Sequence, residues 1–151
     1  MFLHKSTRYA LHAALELALA GARPTTVKQV ATRYAVPENV VAKVLQQLVH
    51  SGVATGVRGV GGGYRLAQPA ENISVQSLID IFEPAASRDG CMLREPPSRG
   101  LPGGMGRTCR LSGLFVEVEE TVRSTFASVS LATLVAPPPD DQQPTGDLDS
   151  S

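Results

Sequence analysis

Two groups of residues carry chemistry in this chain of 151 residues: the thiols of Cys91 and Cys109, and the guanidinium groups of Arg58 and Arg65 on either side of a glycine run. With two cysteines and no export signal in the sequence, a secreted disulfide scaffold is not expected. A reducing cytoplasm is therefore expected, and any role of these sulfurs is chemical rather than structural. Next to Arg58, the run Gly59, Val60, Gly61, Gly62 and Gly63 forms a tip almost without bulk. Such a tip can approach a phosphate backbone closely or enter a narrow minor groove, where negative potential favours arginine. A loop cradling a nucleotide phosphate is the competing chemistry. It is disfavoured because no Lys-Ser/Thr pair follows the glycines and a strand, not a helix, comes next. No Ser/His/Asp, paired-carboxylate or metalloprotease constellation stands in the sequence, so no enzyme is expected.

The formal net charge of zero conceals an asymmetry. Residues 1 to 68 hold eight Lys and Arg against Glu16 and Glu38, whereas residues 113 to 151 hold Arg123 against seven acids. A cationic N-terminal half raises the expectation of an anionic partner such as nucleic acid, because phosphate contacts supply most non-specific affinity. Hydrophobic residues at 42% and charged residues at 19% are ordinary for a folded globular chain. There is no run of eighteen apolar residues and no basic region leading into an apolar stretch, so neither a membrane span nor a secretory signal is expected.

The elements that must position these groups follow from local pattern. Lys5 to Ala20 is rich in Ala and Leu and reads as a helix that Gly21 and Pro24 stop. Thr26 with Gln29 is a capping box opening a second helix to about Tyr34. A third helix runs from Pro37 to His50, with Pro37 in its first turn and Gly52 as its stop. Ala31 is small where the two helices cross, Ala35 occupies the turn, and Val41, Val44, Leu45 and Leu48 form one apolar face. This is helix-turn-helix spacing, with Ala where glycine is frequent. Val53 to Arg58, the glycine tip and Tyr64 to Leu66 then form a hairpin, the wing of a winged helix.

Ser74 caps a short helix through Phe82. Residues 84 to 110 contain four Pro and five Gly, with both cysteines in this stretch, and read as an irregular loop too long to be a passive connection. From Leu111 to Val129, the residues Leu111, Phe115, Val118, Val122, Phe126 and Val129 recur every three or four positions, the mark of a long amphipathic helix. Its stripe calls for a partner surface, and a second copy of the chain is the expected one. The fold class is thus mainly α with a small β-hairpin wing. Residues 1–70 form the winged helix-turn-helix and 71–110 a short helix and sensor loop. Residues 111–136 form the dimerisation helix and a short terminal helix, and 137–151 a disordered acidic tail.

Arg8-Tyr9-Ala10-Leu11, the run Val57 to Ala67 with its Arg-Gly-x-Gly-Gly-Gly-Tyr-x-Leu wing, and Ser130-Leu131-Ala132-Thr133-Leu134 resemble the Rrf2 family of bacterial transcription regulators, of the IscR and NsrR type, over roughly residues 1 to 136. The resemblance implies a cytoplasmic homodimer built on the long helix, with paired winged helices on a palindromic promoter site, and repression as its expected action. It places DNA contacts at Glu38, Asn39, Val40 and Lys43 at the start of the recognition helix and at Arg58, Gly59 and Arg65 in the wing. Asn39 suits adenine, Lys43 guanine or phosphate, and Arg58 a minor groove.

The resemblance also implies a [2Fe-2S] cluster held by Cys91 and Cys109 of one subunit and His12 of the other. Relatives commonly carry three cysteines in this loop, and this chain has two. Some relatives place an acid one turn before the histidine, where this chain has Arg8. Glu16, one turn beyond His12, is the nearest substitute for the fourth ligand, with His4 and Asp89 as further options. A thiol switch, a small-molecule or protein signal without a cluster, and a protein-interaction module without DNA binding stay open beside this reading.

Overall fold

The computed structural model describes residues 3–83 and 110–137. Cys91, Cys109, most of the expected sensor loop and nearly all of the expected acidic tail lie outside the described residues. Helix α1 (Lys5–Ala20) is the central pillar, with Ala10, Ala13, Ala14 and Leu17 buried along one face. Small side chains on that face let α3, α4 and α6 approach its axis closely. Gly21 ends α1 at φ 62°, donating its N–H to the Ala18 carbonyl at 3.2 Å.

The capping box forms as expected. The Gln29 N–H donates to Thr26 Oγ1 at 3.2 Å, and the Thr26 N–H donates to Gln29 Oε1 at 2.8 Å, opening α2 (Val27–Tyr34). Ala35 takes the left-handed conformation at φ 52°, ψ 45°, and the Val36 N–H returns to the Ala31 carbonyl at 3.0 Å. Helix α3 (Glu38–His50) begins one residue later than expected. Pro37, with ψ 137°, stays outside the helix as its cap, and its carbonyl accepts from the Val40 and Val41 N–H groups. Val41, Val44, Leu45 and Leu48 are all buried, as the apolar spacing requires.

Strands β1 (Ala54–Val57) and β2 (Gly63–Leu66) pair antiparallel in the register Ala54 with Leu66 through Val57 with Gly63. A short 3-10 turn at Ala70–Asn72 leads into α4 (Val75–Phe82), where Ser74 accepts from the Ser77 N–H at 3.1 Å. Helix α5 (Arg110–Ser128) is the longest element, and α6 (Leu131–Val135) folds back beside the 3-10 turn and α1. Two backbone bonds stitch that return: the Val75 N–H to the Val129 carbonyl and the Leu131 N–H to the Ile73 carbonyl, each 2.9 Å. Leu131 is 1% exposed and joins the same core as Leu17, Leu45, Leu48 and Leu78. Among the described residues no helix is long and apolar enough to cross a membrane.

Candidate nucleic-acid interface

The α3 surface divides cleanly. Its apolar face is consumed by the core, leaving Glu38, Asn39 and Lys43 exposed on the other. Asn39 and Lys43 are one helical turn apart and so share a face. Glu38 in the first turn suits the helix dipole but repels phosphate, so any base it reads must offer a donor, as cytosine does. Val40 is half-buried and packs against the core cluster, so it has less surface to offer DNA than its neighbours.

Arg58, Gly59 and Arg65 are all exposed on the hairpin. The hairpin is tied to the head. The Thr25 N–H donates to the Tyr64 carbonyl and the Tyr64 N–H to the Thr25 carbonyl, both at 2.8 Å, adding a rung between β2 and the segment before α2. Two glycines are explained by backbone crowding rather than by DNA, Gly63 by the Thr25 mount and Gly62 by the hairpin's own turn. A Cβ at Gly63 would stand 2.6 Å from the Thr25 carbonyl oxygen, and one at Gly62 would stand 2.3 Å from that of Val57. All eight Lys and Arg side chains of residues 1 to 68 lie at the surface.

His12 is exposed on α1, and its ring stacks on Tyr34 with centroids 4.5 Å apart. The Tyr34 hydroxyl donates to Glu16 Oε1 at 2.8 Å, and Arg33 Nε lies 2.9 Å from the same oxygen. Burial, together with the hydrogen bond to the Glu16 carboxylate and its charge, pushes the Tyr34 phenol above its ordinary range, against a smaller lowering by Arg33. Glu16 therefore ties α1 to the end of α2. His4 is engaged as well. Its backbone N–H donates to Glu83 Oε1 at 2.9 Å, its ring Nδ1 meets Glu83 Oε2, and the Thr7 hydroxyl donates to Oε1. Burial raises the Glu83 carboxyl, but the bonds from Thr7 and His4 outweigh it and leave the group below the usual glutamate range. These pairings join residues 18 and 79 apart in sequence, and no local periodicity announces them.

Beside α4, one face of α5 borders an open groove of about 570 Å³, lined by Gln76, Val116, Glu119, Arg123 and Ala127 among others. Arg123 reaches Asp80 at 3.3 Å, and Gln76 donates to the same carboxylate oxygen at 3.0 Å. Gln76 is 7% exposed, and its side-chain oxygen has no hydrogen-bond partner among the described residues. Within the α5 stripe, Val118 is exposed, and Val122, Phe126 and Val129 are half-buried.

Two helices joined by a tight left-handed turn, followed by a two-stranded hairpin, define a winged helix-turn-helix protein. The profile of the Rrf2 family, described as an iron-dependent transcriptional regulator, matches residues 3–137, and the chain belongs to that family. BadM of Rhodopseudomonas palustris, named as an HTH-type transcriptional regulator, is 33% identical over 135 residues, covering 89% of this chain and 81% of its own. Among solved structures, T. potens IscR superposes with a TM-score of 0.73 at 21% identity, over 97% of this chain and 94% of its own. CymR, the global cysteine regulator of B. subtilis, superposes with a TM-score of 0.71 at 21% identity, over 89% of this chain and 96% of its own. The chain is accordingly a transcriptional regulator.

Proposed function

We propose that this regulator is a homodimer whose two α3 helices and wings occupy a palindromic promoter site and repress transcription from it. The observation that carries this reading is the surface position of every cation of residues 1 to 68, Arg58 and Arg65 among them on a hairpin tied to the core. Bases are read by Asn39 and Lys43, with Glu38 beside them, and the wing follows the backbone through Arg58, Gly59 and Arg65. The second copy covers α5. In support, Leu114, Val116 and Val118 are 53%, 50% and 44% exposed, and the buried Gln76 oxygen beside the groove lacks a partner among the described residues. The test is a mobility shift on DNA from the regulator's own promoter across a salt series. Wild type should bind with affinity falling steeply in salt. The double variant Arg58→Glu, Arg65→Glu should lose occupancy, and unchanged occupancy would overturn the reading.

The loop carrying Cys91 and Cys109 is the proposed sensor. A [2Fe-2S] cluster there would draw on both thiolates and on His12 of the second copy, supplying redox or nitric-oxide sensitivity when bound. Two thiolates and one imidazole leave the last of the four ligands such a cluster needs to be supplied, and Asp89, one option for it, lies outside the described residues. Arg8 is a cation, Glu16 is held by Tyr34 and Arg33, and His4 is held by Glu83. That engagement favours the second reading, in which the two thiols form a reversible disulfide, giving two electrons and two protons to a peroxide or disulfide oxidant. Iron and acid-labile sulfide in protein purified without oxygen separate the two. Stoichiometric iron supports the cluster, and iron-free protein whose DNA affinity responds to dithiothreitol supports the thiols. Equal operator binding by wild type and by the Cys91→Ala, Cys109→Ala variant under every redox condition would remove the loop's sensing role.

A further inference from the structure

Val60 is the one residue with a side chain in the run from Gly59 to Gly63, and its fractional exposure is 111%. A single exposed apolar residue on a broad surface needs no account. Val60 is differently placed. It stands on a turn closed by the Gly62 N–H to the Gly59 carbonyl at 2.9 Å, next to Arg58, on the hairpin that Thr25 holds to the head. The flanking glycines carry no Cβ to shield it, so the tip is a thin backbone with one apolar point. The Thr25 rung ties the base of the hairpin to the head, and Val60 stands fully clear of the chain.

The chemistry of the point is specific. Valine is β-branched and stiff at χ1, so little rotamer freedom is lost when it is inserted. It has no polar atom to read base edges, but an apolar side chain delivered into a minor groove packs on sugars and parts base steps, kinking the duplex. Arg58 supplies the attraction that brings the tip to the groove. Resting on the reading that the wing meets promoter DNA, we propose that Val60 is an apolar wedge that enters the minor groove and bends the duplex there.

The experiment uses the full-length dimer and a promoter fragment carrying a donor and an acceptor dye at its ends, so that one titration reports affinity and bending. Val60→Ser should weaken binding about tenfold, in line with the loss of one buried valine side chain, and should abolish the change in energy transfer seen with wild type. The slope of log affinity against log salt should stay unchanged, because valine neutralises no phosphate, whereas Arg58→Gln should reduce it. Val60→Ile should keep both affinity and bend. Equal binding and bending by wild type and Val60→Ser would overturn the wedge, as would a wild-type complex that leaves the duplex straight. If wild type fails to shift promoter DNA even at low salt, the underlying reading of the wing falls with it, so the two failures are distinct.

Discussion

Ala35 holds φ 52° and ψ 45° between α2 and α3, a conformation that places Cβ close to the following carbonyl. The turn keeps it because Val36 must reach back to the Ala31 carbonyl and then bury its own side chain. The strain implies that Ala35→Gly stabilises the fold by roughly 0.5–1 kcal/mol, relief of the left-handed cost outweighing the added freedom of the unfolded chain. Urea unfolding with an unchanged m-value would show it, and a lower midpoint would contradict the strain. The position of this turn was legible from Ala31, Ala35 and the spacing of Val41, Val44, Leu45 and Leu48, and the Thr26/Gln29 cap from two residues alone. The close approaches at Gly62 and Gly63 were not legible. They depend on the Val57 carbonyl, which reaches Gly62 once the hairpin turn closes, and on the Thr25 carbonyl, which reaches Gly63 only once the hairpin has docked on the head.

At the level of elements, the start of α1 and the end of α4 are clamped by one carboxylate. Glu83 receives the His4 ring, the Thr7 hydroxyl and the His4 N–H, the last a backbone donor that the start of a helix otherwise leaves to water. Because its pKa is lower folded than unfolded, its contribution is complete above the ordinary glutamate range. That contribution is lost as pH falls through this range and then through the depressed folded value. Glu83→Gln should therefore cost about 1.5 kcal/mol near neutrality, the scale of a hydrogen bond to a charged group, and almost nothing in strong acid. Urea midpoints for both proteins across an acid-to-neutral series check this, and parallel curves would refute the linkage. The helices were readable from period and caps. The clamp was not, since a histidine before α1 and a glutamate after α4 carry no signal of meeting. The return of α6 was equally hidden, because a five-residue helix shows nothing of Leu131's seat among residues more than fifty positions earlier.

On the scale of the whole molecule, the chain is electrically polar, with eight of its fourteen Lys and Arg in residues 1 to 68 and seven of its fourteen Asp and Glu beyond residue 112. One head brings a net charge of +6 to DNA from residues 1 to 68, whereas two heads held on a common axis bring twice that and add the gain of tethering. The proposed dimer depends on α5, whose Leu114 and Val118 lie one turn apart and are largely exposed in the single chain. A carboxylate placed there would face the second copy in apolar surroundings, where an unpaired charge is expensive. Val118→Glu is an exposed substitution within the chain and should leave the far-ultraviolet spectrum and thermal melt of the head intact while shifting sedimentation to the monomer. Operator affinity should then fall by about 100-fold or more, the scale lost when two linked contacts become independent, while binding to an isolated half-site stays the same. Moving the half-sites apart by about five base pairs should reproduce the loss in wild type, because half a turn of duplex puts the second site on the far face. A Val118→Glu protein that still sediments as a dimer and binds the full operator as wild type does would place the interface elsewhere than α5.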